Sequence, residues 1–437
     1  VCRFKTRNGG ESIIDLGESC DFNSVILKEK GLNVQKFSIS VSDDNENFTQ
    51  IYANDKIEFH RLCTFDTVKA RYVKLTVEKS DNLPKIREME IYNAVPEKKN
   101  DFRVSTYSTL GGSVFGIIDD TTLSDAEKDA KIKELIDADY YDTVTDYIDI
   151  GNVRWDEEGI IHTDGWDGIE RDEDKYYAVM MRNLHEVLDE KGVNLVITIL
   201  NPSGENGNQR VMKSITENRD TLITNMIAFA NKYEFDGIDL DWEFPLSQDE
   251  FDAYNSFLQE LKARMKTEMW NKEDATLSLA LATWALKYTP ETIECIDYVN
   301  VMGYDILDQD GQHSSFFSSC VQAADYIEIQ GFSKEQINIG FPFYGTWEGG
   351  RMEQYAYNAI SEEISPFNNF YTMKKSDTKE DRYTYFNSQA IIRDKTAYAY
   401  LKGYGGVMIF SQYCDLPSDD ERSLTKAISD YLQEVTK

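Results

Sequence analysis

The chain has 437 residues, 41% of them apolar, and carries 46 Lys and Arg against 78 Asp and Glu, a formal charge of -32. At roughly 100–200 residues per domain this length holds two or three domains, and so large an acidic surplus repels both a phosphate backbone and an anionic membrane, which excludes nucleic acid as a partner. No run approaches the ~18–20 apolar residues of a membrane span, and Val1-Cys2-Arg3-Phe4 lacks the features of a signal peptide, so a chain without membrane insertion is expected, any export signal having been removed.

Residues 1–100 hold 16 basic and 16 acidic side chains, which leaves the whole deficit on residues 101–437. A boundary fits that break: Pro96 and the charge cluster after it suit a linker over 96–101, between a domain over 1–95 and another over 102–437. The first region alternates in period two, as in Lys36-Phe37-Ser38-Ile39-Ser40-Val41-Ser42, Arg71-Tyr72-Val73-Lys74-Leu75-Thr76-Val77 and Glu88-Met89-Glu90-Ile91-Tyr92. Such alternation reads as half-buried antiparallel strands with no substantial helix. Together with Ile14-Asp15-Leu16-Gly17, these segments resemble the discoidin-like (factor 5/8 type C) β-sandwich, covering its later part, with the opening strands expected upstream of Val1. The resemblance implies a carbohydrate-binding module; the alternative is a β-sandwich spacer without a ligand.

From Phe102 onward, short apolar runs alternate with helical patterns. The runs are Phe102–Tyr107, Tyr147–Val153, Asn194–Leu200, Phe235–Phe244, Thr276–Thr283, Tyr298–Tyr304, Ile337–Tyr344 and Gly405–Ser411. Apolar residues at three- and four-residue spacing predict helices over Ser124–Asp137, Asp174–Lys191, Arg219–Lys232, Gln248–Lys266 and Ser319–Ile329. Strand-then-helix units imply a parallel sheet with right-handed crossovers, and eight of them imply a closed (β/α)8 TIM barrel of the α/β class, whose active site belongs at the carboxyl ends of the strands. An open doubly wound sheet is the alternative, but no glycine-rich phosphate loop follows the first strand. Cys2, Cys20, Cys63, Cys295, Cys320 and Cys414 are widely spaced, without a C-x-x-C pair or a His at zinc-ligand spacing, and read as buried free thiols in place of a metal site or disulfide framework.

The informative segment is Phe235-Asp236-Gly237-Ile238-Asp239-Leu240-Asp241-Trp242-Glu243-Phe244-Pro245. On a strand, Asp239, Asp241 and Glu243 share one face and Ile238, Leu240 and Trp242 the other. With the apolar side under the helices, three carboxylates point into the barrel and climb toward its catalytic rim at ~3.3 Å per residue. The bland alternative is an exposed strand with a solvated acidic face, but parallel barrel strands are covered on both sides. Uncompensated acids there cost several kcal/mol each, and their mutual repulsion raises at least one pKa, which supplies a general acid near neutral pH.

Asp236, Asp239, Asp241 and Glu243 match the D-x-x-D-x-D-x-E signature of glycoside hydrolase family 18, the family of chitinases and endo-β-N-acetylglucosaminidases, and the chain resembles that family in three more motifs. Met302-Gly303-Tyr304-Asp305 is similar to its M-x-Y-D on strand six, Gly340-Phe341-Pro342-Phe343-Tyr344-Gly345 to G-x-P-x-Y-G on strand seven, and Gly405-Gly406-Val407-Met408 to G-G-x-M on strand eight. Two departures stand out: strand three ends Thr198-Ile199-Leu200-Asn201 where the family has S-x-G-G, and Phe410 replaces the strand-eight Trp that lies under the reacting sugar. The segment from Trp347 to Phe386 is short for the α+β domain that long-cleft chitinases insert there, so a shallower groove is expected.

The resemblance implies retaining hydrolysis in which the substrate's acetamide is the nucleophile, an exception to the two-carboxylate scheme. Glu243 would protonate the glycosidic oxygen, Asp241 orient the acetamido N–H, Asp239 share a proton with Asp241, and Tyr304 donate to the acetamido oxygen. Met302, Asp305 and Phe410 are candidate substrate contacts, and Asp236 and Gly237 belong to the motif's structural part. No metal or organic cofactor is called for. Trp155, Trp166, Trp284 and Trp347, with Tyr344 and Tyr355, are either sugar-stacking platforms or core and rim packing, with Trp284 and Trp347 favoured because they follow strands five and seven. His162, His185 and His313 are scattered without a ligand set.

The expected partner is an N-acetylglucosamine-containing polysaccharide or glycan, met by a monomer that the resemblance implies is secreted or at the cell surface. Three functions compete: an endo-glycosidase on β-1,4-linked N-acetylglucosamine chains, an enzyme cleaving the chitobiose core of N-glycans, and a non-catalytic lectin on the same barrel. Glu243 argues against the last.

Overall fold

The computed structural model describes residues 2–3, 10–96, 98–99, 101–138, 142–164, 168–169, 171–306, 315–347, 350–360, 365–374 and 381–436. Six strands come first: β1 (Cys2–Arg3), β2 (Gly10–Glu29), β3 (Val34–Ser42), β4 (Thr49–Asn54), β5 (Arg61–Ser80) and β6 (Lys85–Tyr92). They join in one antiparallel sheet in the order β1-β6-β2-β5-β3-β4. The 20-residue strands β2 and β5 pair along their length, with breaks in register between Asp15 and Cys20 and between Phe22 and Ser24. At the first break Gly17 takes φ 88°, and its N–H donates to Asp15 Oδ1 at 2.8 Å. The alternation read from the sequence places Phe37 and Ile39 opposite Val77 and Leu75. These four join Phe22, Val25, Leu27, Tyr52 and Phe65 in a core distinct from the barrel's, which Ala390 also enters from the barrel side, each such large side chain stabilising the fold by roughly 1.5–3 kcal/mol.

The second body is a closed barrel. Its strands are β7 (Arg103–Ser108), β8 (Asp146–Trp155), β10 (Asn194–Leu200), β11 (Gly237–Leu240), β12 (Thr276–Leu281), β13 (Tyr298–Val301), β14 (Ile337–Pro342) and β19 (Gly406–Phe410); the two-residue β9 (Ile161–His162) hangs antiparallel on β8. All eight pair in parallel, β19 on β7 and β8 on β10 completing the ring. Closure demands glycine at the last join, because a Cβ on Gly406 would come within 2.4 Å of Arg103 O. Around the ring lie α1 (Gly111–Asp119), α2 (Asp125–Asp137), α3 (Tyr177–Lys191), α4 (Gly207–Thr216), α5 (Arg219–Lys232), α6 (Gln248–Glu268), α7 (Pro290–Cys295), α8 (Phe317–Ile329), α9 (Gln389–Lys402) and α10 (Leu424–Thr436). Capping boxes start α2 at Ser124/Glu127 and α6 at Ser247/Glu250, and Gly192 and Gly403, both left-handed, end α3 and α9. None of the described helices is long and apolar enough to cross a membrane.

Between β14 and α9 the chain forms a small antiparallel sheet of β15 (Tyr344–Trp347), β16 (Gly350–Ala356), β17 (Phe370–Lys374) and β18 (Asp381–Tyr385). No α-helix occurs among the described residues of this insertion. The cysteines whose side chains are described, Cys20, Cys63, Cys295, Cys320 and Cys414, are free thiols.

A polar seam joins the two bodies. Arg61 at the start of β5 and Asp394 in α9 are both fully buried, with Nη2 to Oδ2 at 3.1 Å. The other Asp394 oxygen accepts from Thr64 N at 2.7 Å and from Thr64 Oγ1 at 2.8 Å, and Tyr52 OH reaches Oδ2 at 2.5 Å. Asn369 of the insertion donates to Asn54 Oδ1 at 2.7 Å.

Candidate active site

The acidic segment is a strand for less of its length than its alternation suggests. Pairing with β10 stops at Asp239 and with β12 at Leu240, so Asp241, Trp242 and Glu243 lie beyond the ladder, on the carboxyl-end rim. The expected division of faces nonetheless persists: Ile238, Leu240 and Trp242 are buried in the shell under the helices, while Asp239 lies inside the barrel. The Glu243–Phe244 and Phe410–Ser411 peptides are cis.

Asp239 is fully buried and surrounded by hydroxyl donors: Ser278 Oγ reaches Oδ1 at 2.6 Å, and Thr198 Oγ1 and Tyr107 OH reach Oδ2 at 2.8 and 3.0 Å. Asn300 donates to Tyr107 OH at 3.2 Å, and Asn338 to Asn300 Oδ1 at 3.1 Å and to Ser105 Oγ at 3.2 Å. Burial pushes the Asp239 carboxyl up, and the four side chains Ser278, Thr198, Tyr107 and Asn300 pull it back. Asp241 has no such help. Its Oδ1 is inaccessible to solvent and accepts no hydrogen bond among the described residues. Burial first, then the charges of Glu243 and Asp239, drive its pKa well above the ordinary carboxylate range. Of the two, Asp241 is therefore the one pushed further toward its protonated form. Glu243 opens to solvent at the mouth, and its pKa is raised by partial burial and then by Asp305.

The opposite wall is aromatic. The Tyr304 ring stacks on Phe410 with centroids 5.9 Å apart and planes at 20°, and both pack with Leu200 and Ala280 against the interior cluster of Tyr107, Ile148, Ile150, Val196 and Met408. Tyr304 feels the charges of Asp241, Asp305 and Glu243. Asp305 itself takes a left-handed backbone, φ 55°, and accepts from Tyr344 OH at 3.0 Å. The site thus presents a solvent-facing acid, a half-buried second carboxyl behind it whose pKa is pushed further up, and an aromatic wall of Tyr304 and Phe410.

The model of glycosyl hydrolases family 18 matches residues 190–415, more than half of the chain. The chain belongs to glycosyl hydrolases family 18. A second model, the F5/8 type C domain, matches residues 4–89, which carry the antiparallel sheet. Within family 18 the chain is 26% identical over 196 residues to a class V chitinase of Arabidopsis thaliana, covering 39% of this chain and 52% of that one. It is 27% identical over 269 residues to chitinase A1 of Niallia circulans, covering 47% and 38%. The chain thus spans about half the length, or less, of these curated relatives. Two solved structures share the fold: a chitinase from Bacteroides thetaiotaomicron (TM-score 0.56, 20% identity, 76% of this chain and 97% of that one) and the Ostrinia furnacalis group IV chitinase in complex with allosamidin (TM-score 0.57, 18% identity, 77% and 100%).

Asp239, Asp241, Glu243, Tyr304, Asp305 and Phe410 converge on one mouth of this family 18 barrel, while the half-buried Met302 follows β13 directly. Trp284, 45% exposed and edge-on to Phe244 at 4.8 Å, stands at the rim beside Glu243. Two other aromatic candidates are buried and present no face. Tyr344 is 3% exposed and supports Asp305 through its hydroxyl, and Trp155 is 1% exposed with Nε1 donating to Ser214 Oγ at 2.9 Å. Tyr355 is half-buried on β16; the Trp347 side chain, Trp166 and His313 lie outside the described residues. His162 pairs with Asp156 at 2.9 Å and His185 with Tyr233 O at 2.8 Å.

Asp236 and Gly237 sit at the far end of β11. Asp236 Oδ2 accepts from Leu195 N at 2.8 Å, and a Cβ on Gly237 would meet Thr276 Oγ1 at 2.1 Å, so both fix how β11 seats between its neighbours. The residues missed from sequence are Tyr107, Thr198, Ser278, Asn300 and Asn338. Thr198, Ser278, Asn300 and Asn338 are each one polar side chain within an apolar run, which is the signal that could have found them, whereas Tyr107 lies among hydroxyl residues and carries no such signal. Thr198, which opens the departed S-x-G-G segment, supplies one of the hydroxyls on Asp239.

Proposed function

We propose that this chain is a retaining endo-glycosidase that hydrolyses β-1,4-linked N-acetylglucosamine chains, with the substrate's 2-acetamido group as nucleophile. The observation that carries this reading is the unequal treatment of the three acids: Asp239 ringed by donors, Asp241 half-buried with a buried oxygen that accepts nothing among the described residues, and Glu243 open to solvent beside Asp305. The Glu243 carboxyl gives its proton to the glycosidic oxygen as the C1–O bond breaks and the leaving sugar departs as an alcohol. The acetamido carbonyl oxygen bonds to C1, forming an oxazolinium ion. Asp241 holds the acetamido N–H, its proton drawn between Asp239 and Glu243 as charge develops, and the Tyr304 hydroxyl donates to the acetamido oxygen. Water then attacks C1 from the face the leaving group vacated, returns a proton to Glu243 and reopens the amide, so two inversions give retention. Phe410 and Tyr304 supply the apolar floor under the reacting ring, with less area than an indole. The relatives named as chitinases support chitin as the polymer.

The test is product analysis of the purified chain against N-acetylglucosamine oligomers and a high-mannose glycoprotein. Shortened oligomers with the β-anomer formed first are expected, and Glu243→Gln should lower kcat by roughly 10²–10⁴-fold while oligomers still bind. Glycan release with oligomers untouched would move the substrate to the chitobiose core of N-glycans, and near-normal turnover by Glu243→Gln would remove Glu243 as the acid.

A further inference from the structure

The seam between the antiparallel module and the barrel ends at the active-site corner. Glu58, between β4 and β5, is 6% exposed and has φ 61°, a left-handed conformation that a non-glycine side chain keeps only where its surroundings fix it. Its carboxylate accepts from Ser318 N at 2.7 Å, from the Ser318 hydroxyl and from Phe317 N at 3.3 Å. The residue before α8, Phe316, has no side-chain acceptor, so a residue of the module supplies the cap that the helix's own sequence lacks. Two cations enclose the same turn: the Arg61 guanidinium lies 5.1 Å from the centre of the Phe317 ring, and Lys395 of α9 donates to Ser315 O at 2.8 Å.

The next residue of that turn reaches the site. Ser319 Oγ shares its proton between Phe316 O at 2.6 Å and Gly303 O at 3.1 Å. A Cβ on Gly303 would stand 3.2 Å from Gly340 O and 3.5 Å from Ala323 Cβ, so α8 packs directly on the backbone that precedes Tyr304 and Asp305. We infer that Glu58 is a positioning residue: through the first turn of α8 it sets the Gly303-Tyr304-Asp305 corner, which makes the F5/8 type C module part of the scaffold of the catalytic site. The kinetic consequence rests on the proposed glycosidase reading; the structural consequence does not. Small displacements of aligning groups cost rate more than binding, because alignment matters most in the transition state.

The experiment compares Glu58→Ala, Glu58→Gln and Ser319→Ala in the full chain by hydrogen–deuterium exchange and by kinetics on N-acetylglucosamine oligomers. For Glu58→Ala, exchange in the peptide covering 302–306 should rise ~10-fold while β8 and β10 keep their protection. Its kcat should fall roughly 3- to 10-fold with KM nearly unchanged. Ser319→Ala, which leaves the seam intact, should reproduce the loss in kcat, and Glu58→Gln, which keeps an acceptor for Ser318 N, should recover most of it. Unchanged exchange at 302–306 and unchanged kcat in Glu58→Ala, whatever its melting temperature, would overturn the inference. So would a normal Ser319→Ala if Glu58→Ala does not fold. A parent chain inactive on the oligomers would instead count against the glycosidase reading, and the exchange data would still decide the role of Glu58.

Discussion

Asp239 and Asp241 stand two residues apart and meet opposite surroundings. One is wrapped in hydroxyl donors from β7, β10 and β12, and the other has a buried oxygen with no donor among the described residues. That asymmetry pushes Asp241 further toward its protonated form than Asp239, and leaves Glu243 at the mouth answering to its own partial burial and to Asp305. Both influences favour the protonated carboxyl, so under the proposed mechanism, with Glu243 as the general acid, it stays loaded to higher pH than a free glutamate, and turnover is lost as pH rises through the raised pKa. Asp305→Asn removes the neighbouring negative charge but keeps an acceptor for Tyr344. The alkaline limb of the kcat profile should therefore move to lower pH with the acid limb in place, which steady-state rates across pH would establish. An unmoved alkaline limb would mean that Asp305 does not act on Glu243.

At the scale of elements, the join of β8 and α3 carries a buried charge problem of its own. Asp149 on β8 accepts from Tyr177 OH of α3 at 2.8 Å and from Asn152 Nδ2 at 2.6 Å, yet burial lifts its pKa to about 7. An acid whose folded pKa lies above its unfolded value stabilises the fold in its protonated form. That contribution is complete below about 4 and is lost as pH rises to about 7, up to roughly 4 kcal/mol if the whole shift is realised. Asp149→Asn cannot titrate, and the broken hydrogen bond it introduces is a constant offset. Its melting temperature should therefore gain on the parent's between pH 4 and 7, and a constant difference across that range would refute the assignment.

The elements themselves were largely legible. Arg219–Lys232 and Asn194–Leu200 follow from periodicity with the ends observed, because each boundary is set by residues beside it. Failures came where a distant partner decides. The strand of acids ends at Leu240, its last residue paired with β12, although β12 itself runs on to Leu281 against β13, and α8 starts at Phe317, ahead of its Ser319-based pattern, where Glu58 caps it from another domain. The ring around Asp239 was hidden for the same reason. Ser278 in Leu277-Ser278-Leu279 and Asn300 in Val299-Asn300-Val301 look alike as lone polar residues, and only the register of barrel strands brings both to one carboxylate network.

For the molecule as a whole, Arg61 and Asp394 tie the F5/8 type C module to family 18 barrel at zero exposure. Removing one member of such a pair strands a charge and typically costs 3–5 kcal/mol, whereas replacing both with apolar side chains of similar size is far milder. Arg61→Met and Asp394→Leu should each lower the unfolding midpoint in urea sharply, and the double variant should lie closer to the parent than either single one. Additive losses would mean the seam does not depend on the pair.

The same pair also has a consequence in time. Thr64 and Arg61 reach their partner across 330 and 333 residues of sequence. At synthesis rates of about 5–20 residues per second, Arg61 emerges roughly 17–67 s before Asp394 does. During that interval Arg61, Tyr52 and Thr64 lack the carboxylate that joins them in the finished fold. Most of the module's core comes from its own strands, and Ala390 of α9 joins it only when the last helices arrive.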